Sequence, residues 1–321
     1  MHTVARHDLA PAGVLGEEVR EGSGSGPRVI HTKADLRDRA ARRALAGVDV
    51  LFHLGFQLWL GEGGEAGMAA TNLAGTVNIL GAHPDRVILL SSAAVYGAWP
   101  DNPCPLPESA PPRPNPECAY ATQKLAVERM CAGEAPTLSL RVAAVLGPDA
   151  DPRVRKAVQG YRWIVPAVAG VPQAVQFVHQ DDVVAACLAA WRAPAGDSTS
   201  SEVLNVGPSD WLDAAGIGAV TGGRVLPLPR AALLGASRAA HRLGLTPFGA
   251  DRSVLLAGPL ALDPGAAESR LGWRVSRSSA ETLASMFTRP QAGRGPGSVK
   301  GPADRGAKPW NASPPWRRSG R

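Results

Sequence analysis

Cysteine, lysine and tyrosine are scarce in this 321-residue chain, which has only four, five and three of them. The cysteines, Cys104, Cys118, Cys131 and Cys187, form no CxxC pair and accompany no histidine cluster of zinc spacing. That excludes a structural zinc module and a disulfide framework, and leaves free thiols suited to a reducing, cytoplasmic setting as the expectation. No run reaches the ~18 apolar residues of a membrane span, and the N-terminus lacks the charged-then-apolar order of a secretory signal, so no membrane association is expected. Acidic residues are missing from one place only. Residues 289–321 hold eight Lys or Arg against the single acid Asp304, whereas residues 1–288 hold 26 basic and 27 acidic residues. The overall charge of +6 is thus a property of the tail, and no nucleic-acid partner is expected of the body. Rich in Gly and Pro, the tail reads as a disordered, solvated extension; Trp310 and Trp316 among its arginines leave a weak partner or membrane-surface contact as the alternative.

The body has the composition of a packed protein, with 45% hydrophobic and 19% charged residues in the whole chain. Up to residue 148 short apolar runs alternate with helical patterns, the βαβ rhythm of an α/β fold with a parallel sheet covered on both faces. Residues 48–54, 86–91 and 137–142 are the clearest strands, and residues 2–8 and 28–31 are weaker ones. Residues 35–46, 65–82 and 119–131 show helical spacing. Further elements at 176–206 return to this domain, including a helix at 181–191 and a strand at 203–206. Residues 149–288 form mainly a smaller, irregular lobe, with helical stretches at 230–243 and 264–271. Ligands of such sheets gather beyond the C-terminal strand ends, which points to Asp8, Gly55 and Ser92.

The sharpest chemical constellation is Tyr120-Ala-Thr-Gln-Lys124, with Ser92 upstream at a strand end. Positions i and i+4 share a helix face, so phenol and ammonium can enter one site. A nearby cation lowers a phenol's pKa toward working pH, making Tyr120 a usable acid or base, and Ser92 can hydrogen-bond the same substrate oxygen. Ordinary structural readings stand beside these: Tyr120 and Lys124 as helix-surface residues, Ser92 as a strand terminator, Asp35 as a helix N-cap. His53 and His179 read as structural.

These motifs, in order, resemble the extended short-chain dehydrogenase/reductase family and its NAD-dependent epimerase/dehydratase branch. Asp35-Leu36-Arg37-Asp38 is similar to the family's acidic segment against the adenine. His53-Leu54-Gly55 is similar to the strand end that passes under the cofactor, with Gly55 in place of Ala. Asn72 with Gly75-Thr76 matches the helix whose Asn supports the proton relay. Residues 91–97, Ser-Ser-Ala-Ala-Val-Tyr-Gly, resemble the catalytic-serine strand. Residues 141–148 resemble the segment ending in Gly-Pro, Phe177-Val178-His179 the later brace of the substrate lobe, and Leu271-Gly272-Trp273 the motif near the C-terminus. The resemblance implies a Rossmann-like, doubly wound parallel sheet, NAD or NADP as cofactor, a small-molecule substrate and a homodimer. It implies hydride transfer at a secondary alcohol or ketone, with Tyr120 exchanging the proton, Ser92 donating a hydrogen bond and Lys124 binding the nicotinamide ribose. Asp8, Asp35, Leu36, Leu54, Gly55, Asn72 and Val142 join Tyr120 and Lys124 as cofactor residues, and Ala94, Tyr96, Ala144 and His179 join Ser92 on the substrate side.

The chain departs from this pattern in two respects. The family opens with a strand, a Gly-rich loop and a helix that receives the pyrophosphate. Here His2 to Asp8 resembles the family's second strand, with Asp8 as the ribose acid that favours NAD over NADP, while Arg6 and His7 beside it favour the phosphate. A unit of about 30 residues is therefore expected ahead of Met1, either as a longer cellular protein or as a lost piece in a remnant. The Gly22-Ser-Gly-Ser-Gly26 run follows no apolar strand and opens no helix, so it is read as a flexible connection. Second, Ala144 and Val175 stand where nucleotide-sugar members carry an Asn and an Arg on the diphosphate. This leaves three readings: a sugar derivative as substrate, a hydrophobic, hydroxysteroid-like carbonyl, or a non-catalytic dinucleotide-binding scaffold.

Overall fold

The computed structural model describes residues 2–5, 30–59, 63–194 and 201–287. Asp8, the Gly22–Gly26 run and the basic tail lie outside the described residues. Strand β1 (His2–Ala5) pairs in parallel with β2 (Ile30–Lys33). Helix α1 (Arg39–Ala44) leads to β3 (Val50–His53). One continuous helical path follows, made of α2 (Gly64–Ala69), a π-helical turn Ala70–Ala74 and α3 (Gly75–Leu80). After it come β4 (Arg86–Ser92), a 3-10 turn Ala93–Tyr96, α4 (Ala119–Glu134), β5 (Thr137–Val142) and β6 (Ala144–Leu146). The smaller lobe starts with α5 (Pro152–Gly160), β7 (Ile164–Val168) and β8 (Ala174–Val175). Strand β9 (Phe177–His179), α6 (Gln180–Arg192) and β10 (Glu202–Val206) return to the first domain. The remaining elements are α7 (Ala214–Thr221), β11 (Arg224–Leu228), α8 (Arg230–Arg242), α9 (Ala250–Ser253), β12 (Pro259–Leu260), α10 (Gly265–Leu271) and α11 (Ser279–Ser285).

The central sheet has the order β10-β5-β4-β3, all parallel. Strand residues alternate faces, and β4 shows both cores at once. Its Val87 and Leu89 join Leu51, Ala41, Ile79, Leu80, Val127 and Cys131 on one side, whereas its Ile88 joins Leu138, Leu140, Leu204, Val183, Ala186 and Ala190 on the other. Helices α1, α3 and α4 thus cover one face and α6 the other, which is why these strands read as near-continuous apolar runs. Each fully buried Leu or Ile contributes about 1.5–3 kcal/mol. No helix among the described residues is long and apolar enough to cross a membrane.

Two further cores tie the lobe to the sheet. One joins Leu146 and Phe177 to Val158, Val165, Ile217, Leu283 and Met286. The other packs Cys118 and Ala121, at the N-terminal end of α4, against Leu233, Leu234, Ala250, Val254 and Ala257. That second core brings α9 against the start of α4. Two expectations shift in detail. The helix predicted over 35–46 begins at Arg39 with Asp38 as its N-cap residue, so Asp35 is not the cap. The 65–82 helix is interrupted by the π-turn, which widens the helix around Asn72.

Candidate active site

Helix α4 buries Ala121, Lys124, Leu125, Glu128 and Cys131, an i, i+3, i+4, i+7, i+10 stripe. Two charged residues therefore sit where apolar ones usually do. Glu128 holds Arg141 of β5 in a two-pronged ion pair of 2.7 and 3.1 Å and also accepts the Ser91 hydroxyl. Lys124, one turn earlier and only 4% exposed, donates to the Leu90 carbonyl at 2.7 Å, and its ammonium lies 4.0 Å from the Phe56 ring centre. Burial lowers its pKa from 10.5 to about 7, against the raising influence of Glu128 and Cys131.

Tyr120 stands one turn before Lys124, as the spacing predicts. Phe56 packs edge-on against its ring at 5.5 Å, and the Arg252 guanidinium covers it at 4.0 Å from the ring centre. Burial raises the phenol's pKa, while a hydrogen bond with Ser92 and the charge of Arg252 act in the opposite direction. Arg252 is thus a cation beside Tyr120 that the sequence-based reading did not include. Ser92, the last residue of β4, also accepts from the Ala94 amide at 3.2 Å, so its hydroxyl is fixed at the strand end beside Tyr120.

The strand ends form the rest of the site. Ser92 and Val142 are paired across β4 and β5, at the same end of the sheet as His53 of β3. Beyond His53, Leu54 is 52% exposed and Gly55 is exposed, an open apolar shelf. Leu36 packs so closely on Gly55 and Gly75 that a Cβ at either glycine would stand 3.0 Å from it. Asp35 follows β2 and is held by Arg37 through two side-chain bonds of 2.9 and 3.0 Å. Asn72 accepts from the Gln57 amide at 2.7 Å and donates to Gln57 O and to Gln123 Oε1, pinning the loop after β3 to α4. His53 shares a 2.8 Å hydrogen bond with Thr76 and is kept neutral by burial and by Lys124, with its pKa lowered to about 3.

Not every expected residue joins this cluster. Tyr96 is buried, with its hydroxyl donating to Asn205 at 2.9 Å and its ring under Arg141, so its phenol serves the core. His179 is the N-cap of α6, accepting from the Asp181 amide. Ala94 does join the cluster, donating its amide to Ser92 and lying in the core on which Tyr120 packs, whereas Ala144 is exposed at the start of β6. Sequence reasoning missed Phe56, Trp59, Gln123 and Arg252. Trp59 stacks on Phe248 at 5.4 Å and donates to Asp151, closing the loop after β3 against the lobe. Gln123 lies among the unspecified positions between Tyr120 and Lys124, and Arg252 sits in a stretch without motif.

A parallel sheet under helices, with Ser, Tyr and Lys converging at its C-terminal edge, defines an α/β fold of the Rossmann-like, short-chain-reductase type. The model of the NAD dependent epimerase/dehydratase family matches residues 12–207, and the chain belongs to that family. A curated relative, the uncharacterized protein y4nG of Sinorhizobium fredii (strain NBRC 101917 / NGR234), is 28% identical and shares 84% of this chain and 70% of its own. Among solved structures, MoeE5 in complex with UDP-glucose and NAD matches with a TM-score of 0.58 at 22% identity, over 81% of this chain and 84% of that one. The Bordetella bronchiseptica enzyme WbmG in complex with NAD and UDP matches with a TM-score of 0.60 at 18% identity, over 89% and 84%. At such identities these structures establish the fold.

Proposed function

We propose that this protein is an NAD-dependent oxidoreductase of the epimerase/dehydratase type, acting at a secondary alcohol or ketone of a sugar derivative, with Tyr120 as acid and base. The observation that carries the reading is the convergence of Ser92, Tyr120 and Lys124 beside an exposed apolar shelf at the strand ends. The described residues fit the nicotinamide-ribose half of a dinucleotide. Lys124 is a buried ammonium that gives one hydrogen bond, to Leu90 O, and so keeps N–H groups that a ribose diol satisfies. Leu36, packed on Gly55 beside Leu54, would complete the cofactor's seat together with Asp35 and Val142. When bound, the nicotinamide supplies the hydride acceptor and donor.

Tyr120 takes the proton of the substrate hydroxyl on oxidation and returns it on reduction. Ser92 holds the same oxygen, which fixes the carbon for transfer. Lys124 holds the cofactor ribose, and Asn72, bound to Gln57 and Gln123, fixes the loop around them. MoeE5 and WbmG, bound to UDP-glucose and UDP in their solved structures, support the sugar-derivative class. A second reading, reduction of a hydrophobic carbonyl, draws on the aromatic wall of Phe56, Trp59 and Phe248 near Tyr120 and on the uncharged Ala144 and Val175. The test is turnover with NAD across UDP-sugars and apolar ketones, in wild type and Tyr120→Phe. The substitution is expected to cost about 10²–10⁴-fold in kcat. A Tyr120→Phe variant as active as wild type refutes the assignment.

A further inference from the structure

Arg252 reaches Tyr120 from α9 of the smaller lobe, across the core that joins Cys118 and Ala121 to Ala250 and Val254. Its guanidinium lies 4.0 Å from the Tyr120 ring centre and 5.7 Å from that of Trp59. One terminal nitrogen donates to the Leu58 carbonyl, and Nε is buried without a hydrogen-bond partner among the described residues. Asp251 lies 3.6 Å from Nε, but its side chain is 42% exposed, so water screens it. Among the described residues, the other groups facing Tyr120 offer no rival charge of that constancy. Ser92 is neutral, Cys118 is a buried thiol whose pKa burial raises, and Phe56 is a hydrocarbon. Lys124 turns its ammonium to Leu90 O against Phe56 and loses its charge near neutrality, whereas a guanidinium never does.

We propose that Arg252 is the positioning residue that stabilises the Tyr120 phenolate, a second cation for the acid/base step supplied by the lobe rather than by the Tyr120 helix. The proposal rests on the reading of Tyr120 as acid/base. It makes that residue's readiness depend on the packing of α9 against the start of α4.

The test is a ¹⁹F NMR titration of the full chain carrying 3-fluorotyrosine at position 120, which requires neither cofactor nor turnover. Arg252→Gln is expected to raise the titration midpoint by about one pH unit or more, the size of effect an opposite charge has at this range, and Arg252→Lys to restore most of it. Arg252→Met, which keeps the apolar stem against the same core without the charge, is expected to raise the midpoint as Arg252→Gln does and decides the matter where that variant fails to fold. A midpoint that stays at the wild-type value in whichever of Arg252→Gln and Arg252→Met folds overturns the proposal. A midpoint that moves as expected in a protein without NAD-dependent turnover upholds the Arg252 assignment and refutes the proposed function instead.

Discussion

Replacing Lys124 by Met turns the most unusual feature of α4 into a measurable pH dependence. In the folded protein the Lys124 pKa falls from 10.5 to about 7 because the ammonium is buried. Between those values the unfolded chain binds the proton and the folded one does not, so this group makes stability rise with pH. Integrating from pH 7 to about 8.5 gives a gain of roughly 2 kcal/mol for wild type from this residue alone. Above about pH 9 the signal is confounded. Burial raises Cys131 to about 12 and Cys187 to about 11, and their ionisation in the unfolded chain works in the opposite sense. The variant also leaves Leu90 O without its donor, a cost of about 1–3 kcal/mol that is independent of pH. Urea unfolding of both proteins at a series of pH values isolates the effect as the difference between their slopes. Wild type should gain about 2 kcal/mol more than Lys124→Met over that window. Equal slopes refute the argument that burial makes Lys124 give up its proton in the folded protein.

Other consequences follow from the same geometry. Glu128→Gln leaves Arg141 charged and buried under Tyr96, and is expected to cost about 3–5 kcal/mol in urea unfolding; a loss below about 1 kcal/mol contradicts the buried pair. Gly97 has a φ of 68°, and a Cβ there would stand 2.3 Å from the Arg113 carbonyl, so Gly97→Ala should cost about 2 kcal/mol or more, read as a fall in Tm. Asn72→Ala frees Gln57 and Gln123, and should leave Tm within a few degrees for a loss of about 1–3 kcal/mol while hydrogen exchange quickens at the Gln57 amide.

The sheet was legible because strands buried on both faces have no polar side to disguise them, and β5 matches its predicted span residue for residue. The Tyr120 to Lys124 pair was legible for a related reason, since i, i+4 spacing is fixed by helix geometry alone. The π-turn at Asn72 was not, because one wider turn leaves no compositional trace. Nor was the partner of the phenol. Lys124 shares a helix with Tyr120 and looked like its cation, but side-chain direction sends the ammonium to the sheet, while Arg252 arrives from a lobe more than a hundred positions away. Tyr96 misled in the opposite sense: it follows the catalytic-type Ser92 in sequence, yet the 3-10 turn carries it inward to Asn205.

The most direct test of the account is a calorimetric titration of the intact protein with NAD, in wild type and in Lys124→Met. The account predicts measurable binding by wild type and an affinity lower by about ten-fold or more in the variant, the value of a hydrogen bond from a charged donor. Equal affinity in the two proteins, or no binding by wild type, would contradict the placement of a nicotinamide cofactor on Lys124.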